Sequence, residues 1–243
     1  MNKSNSNKTI LDCIENIIGE SSINKPIHLH EPDFINTNAW DYVKDCIDNN
    51  WVSSAGEWVN KFEKMLCQAT NAKNAIAVNN GTNALRLALH LVGVEPGDEV
   101  LLPPLSFVAT ANAIAHLGAI PHFIDIEPET LGLDPNAISQ RLKQITQLQN
   151  GKLVNKETGR TISAVVAVHV FGHPANTPEL INITNQWNLP LVEDAAAALG
   201  SWRYDASQKI HCGLFGAVGT LSFNGNKLVT TGGGGALITN CRE

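Results

Sequence analysis

The sequence predicts an α/β fold with a mainly parallel central sheet flanked by helices. From about residue 74 onward, short apolar segments rich in β-branched residues alternate with longer amphipathic segments. The apolar segments are typical of strands buried on both faces, and the segments between them are long enough for crossover helices. With 43% hydrophobic and 16% charged residues, the 243-residue chain can bury one large core, or one domain with an arm.

The first part of the chain precedes this alternating pattern. It has three segments with the apolar spacing of amphipathic helices, at residues 10–18, 38–50 and 56–70. We therefore expect an N-terminal arm and helix over residues 1–50, followed by one large domain over residues 51–243.

Five short apolar segments predict the parallel strands: 75–78, 99–102, 119–125, 164–169 and 190–194. Three segments between them have helical spacing: 82–92, 109–117 and 177–187. Two last strands are expected at 219–223 and 236–239. The polar segment 146–160 is predicted to be an exposed excursion from this pattern.

Composition excludes several classes of function. The formal net charge is −6, and the sequence has no dense cluster of lysine and arginine. Nucleic-acid binding is therefore not expected. The five cysteines are scattered and lack the spacings of zinc sites, which is typical of reduced thiols in the cytoplasm. No charge-free apolar stretch is long enough to span a bilayer. We expect a cytoplasmic protein without a metal, membrane or nucleic-acid partner.

A strand runs into a helix through Asn80, Gly81 and Thr82. A helix N-terminus offers unpaired N–H groups and the positive end of a dipole. Gly81 would let a phosphate approach the backbone closely, and Thr82 could add a hydroxyl. This segment is a candidate phosphate site, although asparagine and threonine also serve as ordinary helix caps.

Two further candidates follow predicted strands, where ligands gather in sheets of this kind. Phe107 lies between a strand and a helix, where its ring could stack on a planar cofactor or simply join the core. Asp194 follows Glu193 at the end of a buried strand, and a buried carboxylate needs a cationic partner or solvent. A protonated pyridine nitrogen would be such a partner, but a solvated acid at a strand end remains an alternative.

Lys227 completes the set, in the run Ser222-Phe223-Asn224-Gly225-Asn226-Lys227. A lysine amine can hold a carbonyl cofactor as a Schiff base and can act as its nucleophile. Ser222, at a strand end shortly before it, could reach the cofactor phosphate. A phosphate cup, a ring, an acid and a lysine together predict pyridoxal phosphate chemistry. The glycines at 232–235 precede a strand and are expected to form a tight turn.

These motifs resemble the DegT/DnrJ/EryC1/StrS family of sugar aminotransferases, which are fold type I pyridoxal-phosphate enzymes, from about residue 25 to 239. The matching motifs are Gly-Thr at 81–82, Ser-Phe-Val-Ala-Thr-Ala-Asn-Ala at 106–113, Glu-Asp-Ala-Ala at 193–196 and Ser-Phe-Asn-Gly-Asn-Lys at 222–227. The resemblance implies the large cofactor-binding domain of that fold, with a mainly parallel seven-stranded sheet. It also implies that Lys227 forms the Schiff base, Asp194 pairs with the ring nitrogen, Phe107 stacks on the ring, and Gly81, Thr82 and Ser222 bind the phosphate.

The N-terminal arm, with His30-Glu31-Pro32, and the segment 125–134 look most like the branch that aminates UDP- or GDP-linked 4-keto-6-deoxy sugars in bacillosamine and legionaminic acid synthesis. The resemblance further implies glutamate as amino donor and a homodimer for the full-length family member.

Two departures from the family pattern matter. Ala197 stands where the family commonly has glutamine or glutamate, so a polar contact near the cofactor is missing. The chain stops at Glu243, whereas family members continue into a smaller C-terminal domain, which we expect to be absent. A catalytically incomplete remnant or an interaction module is therefore an alternative to an active aminotransferase. A related sugar dehydratase is disfavoured, because that branch has histidine at the position of Lys227.

Overall fold

The computed structural model describes residues 3–18, 32, 34–54 and 56–241. The chain divides into two compact units, residues 1–33 and 34–243. In the first unit, helix α1 (Lys3–Ile18) contains the helix expected at 10–18. His30 and Glu31 lie outside the described residues. The boundary near residue 50 suggested by the sequence stays a prediction.

The second unit begins with two amphipathic helices, α2 (Ala39–Asp48) and α3 (Glu57–Thr70). Trp58 Nε1 donates to Asp45 Oδ2 at 2.7 Å and so ties α3 to α2. Helix α3 ends at Asn71, whose φ of 62° is the left-handed conformation common at helix C-termini. Both helices agree with the sequence prediction.

A seven-stranded sheet forms the centre of this unit, in the order β1, β11, β10, β7, β6, β2, β3. Its strands are β1 (Asn74–Val78), β2 (Glu99–Leu102), β3 (Ile120–Phe123), β6 (Ile162–Val168), β7 (Leu191–Asp194), β10 (Val218–Ser222) and β11 (Gly235–Thr239). Strands β3, β2, β6, β7 and β10 pair in parallel. Strand β11 is antiparallel to both β1 and β10, so β1 points in the same direction as the parallel set. All seven strands expected from the sequence are present.

Helices cover both faces of the sheet. Four of them pack on it through two apolar clusters, and a third cluster joins Leu66 of α3 to β10 and β11. Helices α4 (Gly81–Leu91) and α5 (Val108–Ala115) pack on one face, and α6 (Pro135–Ile145) and α7 (Thr177–Gln186) on the other. Strand β2 shows the alternation that this arrangement requires. Val100 and Leu102 join the first cluster, and Leu101 between them joins the second.

One helix and two hairpins were not predicted from the sequence. Helix α6 begins at the N-cap Asp134, whose carboxylate accepts from Asn136 N–H at 2.8 Å, with Pro135 in the first turn. The segment 146–160, expected to be an excursion, contains a hairpin of β4 (Thr146–Gln149) and β5 (Lys152–Asn155). A second hairpin joins β8 (Trp202–Asp205) and β9 (Gln208–His211). Nowhere in the described part of the chain is a helix long and apolar enough to cross a membrane.

Candidate active site

The predicted site residues lie at one edge of the sheet. Strands β1, β2, β7 and β10 all point the same way, so the loops after them open on the same edge. Asp194 ends β7 and Ser222 ends β10, and Asp194 is in register with Thr220. Gly81 starts the helix after β1, and Phe107 and Lys227 lie in the segments after β2 and β10. The topology therefore gathers residues that are far apart in sequence.

The start of α4 and the end of β10 are in close contact. A Cβ added at Gly81 would lie 2.8 Å from Ser222 Cβ and 3.1 Å from Ser222 Oγ. Real Cβ atoms essentially never approach so closely, so only glycine fits here. The N-cap Asn80 accepts from Asn83 N–H through its side chain at 2.8 Å. The N–H groups of Gly81 and Thr82 donate to no other group in the described part of the chain.

This contact has features that suit a phosphate. The positive end of α4 lies beside Ser222, whose hydroxyl oxygen would be 3.1 Å from a Cβ at position 81, and glycine places no side chain between them. The simple capping role that the sequence left open is served by Asn80. The N–H groups of Gly81 and Thr82 thus remain available to an anion.

The Asp194 carboxylate is buried, with a relative exposure of 6% for the residue. Thr110 Oγ1 donates to Asp194 Oδ2 at 2.6 Å, and Ala196 N–H donates to Oδ1 at 3.2 Å. Among the described residues, no lysine, arginine or histidine forms an ion pair with it. A buried carboxylate without a cationic partner fits a protonated ring nitrogen, because such a charge is costly to leave uncompensated.

The adjacent Glu193 has a structural role that was not predicted from the sequence. Its fully buried carboxylate accepts from the backbone N–H groups of Gly213, Phe215 and Gly216 at 2.7–2.9 Å. It also accepts from His169 Nε2 at 2.9 Å. Glu193 therefore anchors the loop before β10 to β7, and only Asp194 of the two acids is left to face the site.

His169 carries a single ring proton in this arrangement. Its Nε2 lies 2.9 Å from Glu193 Oε2 and carries the proton of that hydrogen bond. Ala175 N–H donates to His169 Nδ1 at 3.1 Å, so Nδ1 must keep its lone pair and cannot carry a second proton. We therefore assign the neutral ring, with its proton on Nε2 facing Glu193.

Phe107 and Lys227 are the least constrained of the predicted residues. Phe107 is 73% exposed at the start of α5, so its ring is not part of the core. Lys227 is half-buried in the turn after β10, where its N–H donates to Asn224 O at 2.9 Å. Its amine forms no hydrogen bond or ion pair within the described part of the chain. Both side chains are available to a ligand.

The structure thus joins Gly81 to Ser222 and places Asp194 at the same edge, but no hydrogen bond or ion pair links Phe107, Thr82 or Lys227 to Asp194 within the described residues. Thr110 and Glu193 are functional candidates that residue patterns did not single out. Each is identified by a partner at least 20 residues away in the sequence.

Two other observations complete the description of the site. Ala197, which lacks the polar group common in the family pattern, is exposed, and its carbonyl oxygen lies against Gly172. Over the described ranges, no group of three or more histidine, cysteine, aspartate or glutamate side chains could hold a metal ion. The N–H and hydroxyl donors at this edge suit an anion, and the Asp194 carboxylate suits a protonated ring nitrogen.

The sequence profile of the DegT/DnrJ/EryC1/StrS aminotransferase family matches residues 34–243. The chain belongs to this family. A relative in Bacillus subtilis (strain 168), EpsN, is named as a pyridoxal phosphate-dependent aminotransferase. It is 37% identical over 218 residues, which cover 90% of this chain and 52% of the relative.

The same family relationship is visible in a second relative and in a solved structure. GDP-perosamine synthase of Escherichia coli O157:H7 is 36% identical over 200 residues, covering 82% of this chain and 50% of that protein. The crystal structure of DesI in the presence of its TDP-sugar product superposes with a TM-score of 0.74 and 28% identity, covering 88% of this chain and 49% of DesI. This DegT/DnrJ/EryC1/StrS member spans about half the length of the relatives it matches. Its α/β fold with a mostly parallel sheet agrees with the sequence prediction.

Proposed function

We propose that this chain binds pyridoxal 5'-phosphate and carries the cofactor site of an aminotransferase that acts on a nucleotide-linked keto-sugar. The observation that carries the proposal is the buried Asp194 carboxylate without a cationic partner, at the same sheet edge as the Gly81–Ser222 contact. Family membership supports the same conclusion.

When bound, pyridoxal phosphate supplies a protonated pyridine ring that withdraws electrons from the amino acid or sugar attached to it. Asp194 would hold the ring nitrogen in its protonated form by its negative charge. Gly81 and Thr82 N–H and the Ser222 hydroxyl would hold the phosphate.

Lys227 and Phe107 would have the remaining roles. The Lys227 amine would attach the cofactor covalently and, once displaced by an amino donor, would move the proton at the reacting carbon. Phe107, exposed at the start of α5, would pack on the ring. Each of these assignments uses a side chain that has no competing partner in the described structure.

We propose a nucleotide-linked 4-keto-6-deoxy sugar as acceptor and glutamate as amino donor. Support for a nucleotide sugar comes from the relatives. Two of them are named GDP-perosamine synthase and dTDP-4-dehydro-2,3,6-trideoxy-D-glucose 4-aminotransferase, the latter in Saccharopolyspora spinosa. We further propose a homodimer and a cytoplasmic location. The location is supported by five cysteines that form no disulfide.

Covalent labelling tests the cofactor assignment. Wild-type chain is incubated with pyridoxal phosphate, reduced with borohydride and mapped by peptide mass spectrometry. We expect absorbance of the bound cofactor in the visible range and a reduced cofactor adduct on Lys227. Lys227→Ala should lose both the colour and the adduct. Lys152→Ala, which removes an exposed lysine on β5, should keep both. Unchanged colour in Lys227→Ala would overturn the assignment.

A separate assay tests activity, because the chain spans about half the length of its relatives. Glutamate-dependent amination of GDP- and UDP-linked 4-keto-6-deoxy sugars is measured with the chain alone and with a separately supplied C-terminal half of a relative. Amination by the chain alone refutes the remnant alternative. If the chain binds the cofactor but amination is absent under both conditions, the chain is a binding module and the proposed transferase activity is refuted.

A further inference from the structure

We propose that Thr110 is a positioning residue that orients the Asp194 carboxylate toward the cofactor ring. This inference rests on the proposed function, since it assigns a role to a residue that supports Asp194. It is carried by one contact, the 2.6 Å hydrogen bond from Thr110 Oγ1 to Asp194 Oδ2.

The contact joins two elements that are distant in sequence. Thr110 lies in the first turn of α5 and Asp194 ends β7. Thr110 is fully buried, and Asp194 nearly so. A buried hydroxyl that lost this acceptor would be left unsatisfied, so the carboxylate and the hydroxyl hold each other in place.

The backbone around Asp194 is fixed on both sides. His169 N–H donates to Asp194 O at 3.1 Å, and Ala195 N–H donates to Thr220 O at 3.0 Å. The side-chain torsions are therefore the remaining freedom of this residue. Ala196 N–H binds one carboxylate oxygen, Oδ1, at 3.2 Å, and Thr110 supplies the shorter bond to the other. Thr110 thus determines which way the carboxylate faces.

The same turn also contains the proposed stacking residue. Thr110 N–H donates to Phe107 O at 3.0 Å, three residues earlier. Through its backbone Thr110 holds Phe107, and through its hydroxyl it holds Asp194. Thr110 therefore joins the backbone of Phe107 to the Asp194 carboxylate.

The test compares Thr110→Val, which keeps the shape but removes the hydroxyl, with Thr110→Ser, which keeps the hydroxyl. Pyridoxal phosphate is titrated into each purified chain, and the Kd and the absorbance maximum of the bound cofactor are recorded. We expect Thr110→Val to raise Kd about tenfold or more and to shift the absorbance maximum, and Thr110→Ser to restore both. Thr70→Val removes an equally buried hydroxyl on α3, which bonds Leu66 O at 2.7 Å, and should leave Kd unchanged.

Two further measurements separate orientation from folding. Melting of the cofactor-free chains reports any loss of fold in Thr110→Val. The same substitution is also made in an Asp194→Asn background, where we expect it to have little further effect on Kd. Equal Kd and spectrum in wild type and Thr110→Val, or full additivity with Asp194→Asn, would overturn the role of Thr110 alone. A wild-type chain that does not bind the cofactor at Lys227 would overturn the proposed function and this inference together.

Discussion

His169 Nε2 donates to Glu193 Oε2 at 2.9 Å, and both side chains are fully buried. Glu193 directly precedes Asp194 in β7. Three backbone N–H groups of the loop 213–216 converge on the same carboxylate. The pair therefore links the ends of β6 and β7 to the loop that precedes β10. Of the candidate site residues, Asp194 is the one that directly follows this buried anchor in the chain.

Glu193→Gln should destabilise the fold by about 3 kcal/mol, measured by urea unfolding. Its amide NH₂ would face backbone N–H groups or the His169 donor, and buried donors without acceptors cost about 1–3 kcal/mol each. Glu129→Gln changes an exposed glutamate in the same way and should stay within about 0.5 kcal/mol of wild type. Equal stability of the two variants would show that Glu193 is not an anchor.

Gly81→Ala should destabilise the chain by about 1–3 kcal/mol and weaken binding of pyridoxal phosphate. Helix propensity alone predicts the opposite sign, because alanine is favoured over glycine in helices by about 1 kcal/mol. The new Cβ would lie 2.8 Å from Ser222 Cβ, and relieving that overlap costs more. Urea unfolding and cofactor titration measure the two effects. Gly233→Ala meets nothing within 4 Å and serves as the control. A stabilised Gly81→Ala would contradict the crowding argument.

Gly172→Ala should lose more stability than Gly93→Ala. Both glycines have positive φ, of 80° and 89°, so alanine is strained at either position. A Cβ at Gly172 would also lie 2.4 Å from Ala197 O, whereas one at Gly93 meets nothing within 4 Å. We expect a difference of at least about 1 kcal/mol in the free energy of unfolding. Equal losses would mean that the loop at Ala197 moves aside freely.

Stability should fall in acid through Glu99, at the start of β2. Burial raises the pKa of Glu99, but hydrogen bonds from Asn155, Thr158 and His122 outweigh burial and lower it. A carboxyl group with a lowered pKa in the folded state stabilises the fold above its unfolded pKa of about 4.3. That contribution disappears as pH falls through the lower folded pKa.

Urea unfolding between pH 7 and pH 3 checks this prediction. Glu99→Gln should be less stable than wild type at pH 7 and should lose less stability than wild type below about pH 4.3. Glu95→Gln, an exposed neighbour, should follow the wild-type curve. Parallel curves for wild type and Glu99→Gln would exclude Glu99 as the source of acid sensitivity.

Local patterns sufficed to predict the sheet and most helices. In β2, Val100, Leu101 and Leu102 are all apolar because both faces of the strand are covered, and such a run is visible without a structure. Local signals for α6 and for the β4–β5 hairpin are the cap Asp134-Pro135 and the turn Asn150-Gly151, whose residues have φ of 50° and 78°.

The contacts of the site could not be predicted in the same way. Thr110 and Asp194 are 84 residues apart, and Glu193 is bonded to the loop 213–216. Such pairs depend on which strands are neighbours and on which face each side chain lies. A threonine in a helix looks the same in sequence whether its hydroxyl bonds its own helix or a distant carboxylate. The roles proposed for Gly81, Thr82, Phe107, Asp194, Ser222 and Lys227 remain predictions.

Strand β1 has one neighbour in the sheet, β11, within the described chain. During synthesis from the N-terminus, β1 and the start of α4 therefore cannot take their final positions until residues 235–239 are available to pair with β1. Gly235 then lies against the backbone of Asn80, where a Cβ would be 2.5 Å away. Pairings between such distant segments form slowly. The proposed phosphate site at Gly81 therefore takes its final shape only after β11 has paired with β1.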